Sequence, residues 1–497
     1  MNIFTQPTDT QKHTLYGSGI FVFLFLILAF WFPDAFREKL GTWTFQILEV
    51  FGMFNLMVGL GSVLILLAIA FSPLGKRKLG KEKPEYSWFS WIAMLYSTGM
   101  GAGLLLRAVQ EPVFYYTHPP RESVLSQGEF ALQYTFFHWG LTPWAFYGLF
   151  GLVIAYNLYE KNGTILSSSV LEKRLQKTIW ATMMNILTII CTLLGVVAAV
   201  GLGSRQLLDA AAYWMGLGEI PSNLTIWLVL LVCAVSTYSA FLGLNRGIKI
   251  ISNVNIGLAS LLLFFTWIVG SEWMVVGMFF KSLGIYLLEF VPMSLNIGDQ
   301  KVSHSFLTDW TFFYWAFWMD WAPFTGVFMA RISKGRTIRQ FIIGTLIVPA
   351  LGTFIWFTVF GSNAFGLIES GKTTAESFGS IYSALFNFFS LFPYSSFSNT
   401  VSTILIFTFL ITSVDSAIFV LSMFTDEGKA EPMRRYRMFW GVSIAMFTIV
   451  VILMGKESLL QSVSQLLIIF ALPFSFLFVG MVFYFLNSVI LEKNKQR

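Results

Sequence analysis

Trp310-Thr311-Phe312-Phe313-Tyr314-Trp315-Ala316-Phe317-Trp318-Met319-Asp320-Trp321-Ala322-Pro323-Phe324 is apolar enough to be buried, yet lipid has no need of its indoles, its carboxylate or its proline. Trp315, Trp318 and Trp321 recur every three residues and are predicted to share a helix face. Pro323 lacks the N–H that continues a helical ladder. The stretch therefore reads as an aromatic wall beside a helix interruption, inside a membrane. Asp320 lies about 200° around an ideal helix from Trp318, so it is expected to point away from that ring unless the backbone unwinds.

The rest of the chain agrees with a membrane setting. Of 497 residues, 56% are hydrophobic and only 12% charged. A soluble domain carries about 25% charge, so an ordinary globular enzyme and a disordered protein are both excluded. A spanning helix needs about 20 apolar residues, because its backbone must satisfy itself across roughly 30 Å of hydrocarbon. Twelve spans are predicted, near 15–33, 45–72, 88–112, 129–157, 180–204, 223–242, 251–276, 307–330, 340–366, 397–422, 437–455 and 463–490. The first reads as a retained span, not a signal peptide. Loops after even-numbered spans hold nineteen Lys and Arg and those after odd-numbered spans seven, which places the even loops and both termini in the cytoplasm. The same asymmetry accounts for the net charge of +6 without nucleic acid. Cys191 and Cys233 sit in apolar runs and read as small core residues.

Three other spans are interrupted. Tyr96-Ser97-Thr98-Gly99-Met100-Gly101-Ala102-Gly103 places three glycines at alternate positions, which weakens a helix and lets bare carbonyls face a cation or substrate. Close helix packing through small residues is the competing reading. In His138-Trp139-Gly140-Leu141-Thr142-Pro143-Trp144-Ala145-Phe146-Tyr147, the rings of Trp139, Trp144 and Tyr147 fall on one side of a helix. They form either a wall for a cation that cannot hydrogen-bond or an interfacial aromatic belt. His138 reads as a packed histidine. Thr412-Ser413-Val414-Asp415-Ser416 offers hydroxyls that either ligate a hard cation or bond backward within their own helix.

These motifs resemble the betaine/carnitine/choline transporter (BCCT) family. The likeness is densest over Trp318 to Phe341 and continues in Gly99 to Gly103, Glu111-Pro112, His138 to Tyr147, Gly243-Leu244-Asn245-Arg246-Gly247-Ile248-Lys249 and Thr412 to Ser416. It implies an all-α polytopic fold with two leading helices and a five-plus-five inverted repeat, the sodium-symporter (LeuT-like) fold, usually as a homotrimer in the bacterial inner membrane. Accordingly, residues 1–14 would be a short cytoplasmic segment, 15–87 the leading helices and a basic loop, and 88–280 the first repeat. Residues 281–306 would form an extracytoplasmic connection, 307–490 the second repeat, and 491–497 a cytoplasmic tail too short for osmotic sensing. The family's aromatic box falls on Trp139, Trp144, Tyr147 and Trp318, with Met100 and Gly101 beside it and Trp315 and Trp321 along the pathway. The implied substrate is a small quaternary ammonium compound such as glycine betaine, choline or carnitine. The family's sodium position falls on the backbone of Ser97, Met100 and Phe409 and the hydroxyls of Thr412 and Ser413.

Departures from the pattern stand out. Arg107 and Asp320 replace residues that are uncharged in relatives, and a charge at mid-membrane needs a partner. Arg107 is expected either to pair with Asp320 or Glu111, or to receive a substrate carboxylate while Asp320 favours a cation. Val196 stands where sodium-coupled members carry a second threonine, and Arg205 reads as a further buried cation able to stand in for sodium. The coupling ion is expected to be one sodium, with proton coupling through Asp320 or Glu111 as the alternative. No Gly-x-Ser-x-Gly elbow, His-Glu-x-x-His pair or Gly-Lys-Ser/Thr loop is present, so enzyme chemistry and ATP use lack their residues. A carrier of unmethylated zwitterions, a sodium-independent exchanger, and a channel or sensor on the same scaffold are the rival functions.

Overall fold

The computed structural model describes residues 9–123, 125–215, 223–270, 274–455 and 459–495. Residues 1–8 of the expected amino-terminal segment and 496–497 of the expected tail lie outside the described residues. Among the described residues the chain is helical, with one isolated antiparallel bridge between Lys78 and Thr337. The principal helices are α1 (Asp9–Trp31), α2 (Pro33–Phe71), α3 (Trp88–Met100), α4 (Gly103–Arg107), α5 (Gln110–Thr117), α6 (Gln127–Trp139), α7 (Leu141–Glu160) and α8 (Ile179–Met215). They continue with α9 (Asn223–Leu242), α10 (Lys249–Gly270), α11 (Met274–Leu295), α12 (Phe313–Ile332), α13 (Val348–Glu369), α14 (Ser395–Thr425), α15 (Arg434–Gly455) and α16 (Leu459–Lys495).

Ten helices among the described residues are long and apolar enough to cross a membrane, or eleven if the bent α3–α5 segment counts as one. The chain is a multi-pass, all-helical membrane protein. Two of the twelve expected spans, α1 and α12, fall outside that set. In α12 the indoles, a phenol, Asp320 and Arg331 dilute the aliphatic character. Conversely, α11 is apolar enough and runs across the boundary expected at residue 280. Its buried stripe of Val275, Ser282, Tyr286, Phe290 and Met293 follows helical spacing while Phe280, Leu287 and Leu288 face outward, so much of the expected connection is helix.

Three local irregularities position the site. Ser87 caps α3 by accepting from the Ser90 N–H at 3.3 Å. That helix stops at Gly101, whose φ of +52° is open to glycine and strained for any other residue. The axis then turns by 61° into α4 and α5. The fourth span is divided at Gly140, where a Cβ would strike the Phe136 carbonyl and the Phe354 ring. The interruption expected at Pro323 is not there: α12 runs unbroken through the proline, and the irregular turn lies before it, where Leu307–Phe312 is wound as a π-helix. Membrane helices tolerate a proline because neighbouring groups and small local adjustments can serve the one carbonyl it leaves free, here that of Met319.

Among the described residues, helices α7 and α12 form the most extensive pairing. Gly151 and Gly326 make this possible. A Cβ on Gly151 would lie 2.8 Å from the Gly326 carbonyl oxygen, and one on Gly326 would lie 2.9 Å from the Gly151 nitrogen. This close crossing brings the α6–α7 aromatics against those of α12. At the end bearing the basic loops, Arg331 gathers three segments. It contacts Glu85 at 3.1 Å and Glu431 at 3.0 Å and donates to Ala430 O at 3.2 Å. Arg336 lies 4.6 and 4.7 Å from the Trp88 and Trp91 ring centroids, respectively.

Candidate functional site

The four rings named for an aromatic box are contiguous and buried. Trp139 meets Trp318 edge to face at 5.1 Å, Trp318 meets Tyr147 at 6.3 Å, and Tyr147 meets Trp144 at 5.8 Å. The Trp144 ring sits over Gly99, where a Cβ would come within 2.6 Å of it. Trp318 donates its indole N–H to His138 O at 2.9 Å. A cavity opens beside this cluster, lined by Met100, Trp139, Tyr314, Trp318 and Trp321 among others. Trp144 and Tyr147 do not line it.

Trp315 does not share the cavity face with Trp318 and Trp321. Steps of three residues rotate by about −60° each, so the first and last of the three indoles diverge by about 120°. Trp315 packs instead toward Gly59 of α2 and against Phe137 at 4.8 Å.

Glu111 anchors the rings. This fully buried carboxylate accepts the Trp139 indole N–H at 2.9 Å, the Tyr115 hydroxyl at 3.2 Å and the Tyr314 hydroxyl in a short bond. Tyr314 in turn stacks on Trp318 at 5.8 Å and 15°. His138 has both ring nitrogens engaged, by the Tyr115 hydroxyl at 2.7 Å and the Thr311 hydroxyl at 3.0 Å, which fits a packed histidine. In the sequence, Glu111 stood out as a motif residue, a partner for Arg107 and an alternative site of proton coupling. Its position as the hub of a ring network depends on residues from α5, α6 and α12 meeting in space.

The expected partners of the unusual charges are corrected by the geometry. Arg107 donates to Gln110 Oε1 at 2.6 Å, and among the described residues it forms no ion pair within 4 Å with Asp320 or Glu111. Asp320 is fully buried against α8, beside the Cys191 thiol, and does not line the cavity. Arg205 is not buried: its side chain is half exposed and pairs with Asp209 at 3.3 Å, one turn along the same helix.

Of the residues named for a sodium position, Ser413 of α14 lies against the end of α3. The Ser413 hydroxyl faces Gly101, where a Cβ would lie 2.6 Å away. Ser413 Oγ and Ser97 Oγ are both buried and make no hydrogen bond among the described residues. The Thr412 hydroxyl bonds to Phe409 O at 2.9 Å and accepts from Asn255 Nδ2 at 3.1 Å. Of the two readings of the hydroxyl motif, backward bonding holds for Thr412 and not for Ser413. Nearby, Asp415 accepts from Ser239 at 2.5 Å. Among the described residues no group of three or more His, Cys, Asp or Glu is placed to hold a metal, so an ion here would depend on hydroxyls and carbonyls.

Sequence comparison places this architecture among known carriers. The pattern of the BCCT, betaine/carnitine/choline family transporter, matches residues 13–494. The glycine betaine transporter OpuD of Bacillus subtilis is 36% identical over 474 residues, covering 93% of this chain and 91% of the relative. An ectoine/hydroxyectoine transporter of Virgibacillus pantothenticus is 34% identical over 482 residues, covering 94% of each. The high-affinity choline transport protein of Escherichia coli is 33% identical over 478 residues, covering 93% of this chain and 69% of the relative. With a family match over nearly its whole length, the protein is a transporter and not an enzyme, and it belongs to the betaine/carnitine/choline transporter family.

Proposed function

We propose that this protein is a secondary carrier of the plasma membrane that takes up a small quaternary ammonium compound such as glycine betaine, choline or carnitine. The observation that carries this reading is the meeting of Trp139 and Trp318 at 5.1 Å on the wall of the cavity. A methylated nitrogen has no N–H to donate, so indole faces are its natural partners, at roughly 2 kcal/mol or more per ring when desolvated. In this reading Trp144 and Tyr147 join the box when the rings part around substrate. We read the helices as two leading spans and a five-plus-five inverted repeat, with the breaks at Gly101 and before Phe313 opening the two halves.

Sodium fits as the coupling ion. The buried, unpartnered Ser413 hydroxyl, with the carbonyls of Ser97, Met100 and Phe409 and the hydroxyl of Thr412, offers only the hard oxygen donors such an ion takes. The ectoine transporter among the relatives supports a second reading, a zwitterion whose cation is not quaternary. Competition for uptake into proteoliposomes separates the two. Saturable, gradient-driven accumulation of glycine betaine, blocked by trimethylated analogues but not by glycine, is the expected result. Equal competition by glycine would remove the quaternary reading, and unsaturable flux would point to a channel.

A further inference from the structure

The cavity beside the rings has a second, polar side that the family resemblance does not assign. Helix α8 presents Ala199, Leu202, Gly203 and Gln206 to it, one helical stripe in which the first three are small or apolar. Gln206 is fully buried, and among the described residues neither its Nε2 nor its Oε1 makes a hydrogen bond. A buried amide left without partners is rare and costly, so this one calls for something in the cavity to bond to.

Opposite it on α4, Arg107 lines the same cavity, one turn beyond Gly103. A Cβ on Gly103 would rest 3.6 Å from the Trp139 ring, so Arg107 stands about 6 Å along the helix axis from the aromatic wall. Arg107 gives Nη1 to Gln110, while Nε and Nη2 donate to nothing among the described residues. A wider neighbouring cavity also has Arg107, Phe313, Tyr314 and Ser464 in its wall, so these residues stand between the two spaces.

We propose that Arg107 and Gln206 form a carboxylate-binding pole facing the Trp139–Trp318 wall, which makes the preferred substrate a compact zwitterion and not a simple cation. This rests on the reading that the rings hold the substrate's cationic end. Glycine betaine carries both groups; choline carries only the first. The guanidinium and the amide Nε2 would donate to the carboxylate oxygens, while Asp320, which does not line the cavity, takes no part.

The test is binding to the purified, full-length protein in nanodiscs, using glycine betaine and choline with wild type, Gln206→Leu, Gln206→Glu and Trp318→Ala. Wild type is expected to bind glycine betaine at least tenfold more tightly than choline. Gln206→Leu should weaken glycine betaine about tenfold and choline less than twofold, and Gln206→Glu should reverse the preference. Choline binding also reports whether each variant is folded. Equal wild-type affinity for the two compounds, or parallel losses in Gln206→Leu, would overturn the carboxylate pole alone, provided Trp318→Ala abolishes binding of both. Binding that survives Trp318→Ala, or no binding of either compound to wild type, would overturn the aromatic reading and this proposal with it.

Discussion

Glu111 shows how much of the cavity's geometry hangs on one side chain. Three ring donors converge on its two oxygens, and two of those rings, Trp139 and Tyr314, line the cavity. A hydrogen bond to a charged group contributes about 1.5–3 kcal/mol in soluble proteins, although in membrane proteins measured values average nearer 0.6 kcal/mol. Glu111→Ala strands the Trp139 and Tyr314 donors, while Tyr115 keeps His138, and is expected to cost about 2 kcal/mol in stability and at least tenfold in substrate affinity. Glu111→Gln keeps one carbonyl oxygen and should fall between. Trp139→Phe removes a single donor while keeping a ring, so its stability loss should be the smallest of the three. Thermal melts and binding isotherms of the three variants check this order; wild-type affinity in Glu111→Ala would show that the rings hold themselves.

The broken α3–α4 element makes a graded prediction, because its three glycines face different neighbours. Alanine at Gly101 would have to adopt φ +52° and press on Ser413, a backbone strain of about 1–3 kcal/mol with a steric clash besides. At Gly99 the backbone is regular, but a Cβ would push the Trp144 ring from 2.6 Å. At Gly103 the same Cβ meets Trp139 at 3.6 Å, an ordinary contact. Uptake rates should therefore fall in the order Gly103→Ala, Gly99→Ala, Gly101→Ala, with the first near wild type and the last without transport. Loss of function in Gly103→Ala equal to that in Gly101→Ala would mean that the break acts by flexibility and not by fit.

Across the whole molecule, the loops at the basic end are tied together by Arg331, whose side chain is 10% exposed against Glu85 at 32% and Glu431 at 62%. The Glu431 arm is well hydrated and contributes little; the Glu85 arm and the bond to Ala430 O are the more protected. Arg331→Ala is expected to cost about 2 kcal/mol and to lower the thermal midpoint. Glu431→Gln should shift it much less, and a larger shift there would reverse this ranking. At the same scale, a carrier coupled through the Ser413 position should lose gradient-driven accumulation when external sodium is replaced by potassium. Uptake that persists in potassium would favour the sodium-independent exchanger.

The membrane setting, the family and the residues worth examining were legible in the sequence because each is a local anomaly. Glycines, indoles and charges inside apolar spans are costly in lipid and therefore visible without a partner. The break at Gly101 could be read for the same reason, since glycines at alternate positions weaken a helix wherever it packs. What the tertiary structure alone decided was which anomalies meet. Trp315 turned to α2, Arg107 took Gln110 and not Asp320, Arg205 reached Asp209 at the surface, and Pro323 stayed helical while the turn before Phe313 loosened. Gln206 was invisible as one more polar residue in a long helix; it became significant only when folding buried its amide in the wall of a cavity that an arginine from a distant segment also lines. Burial and partnership depend on how helices far apart in the chain cross, and no pattern within a single helix carries that information.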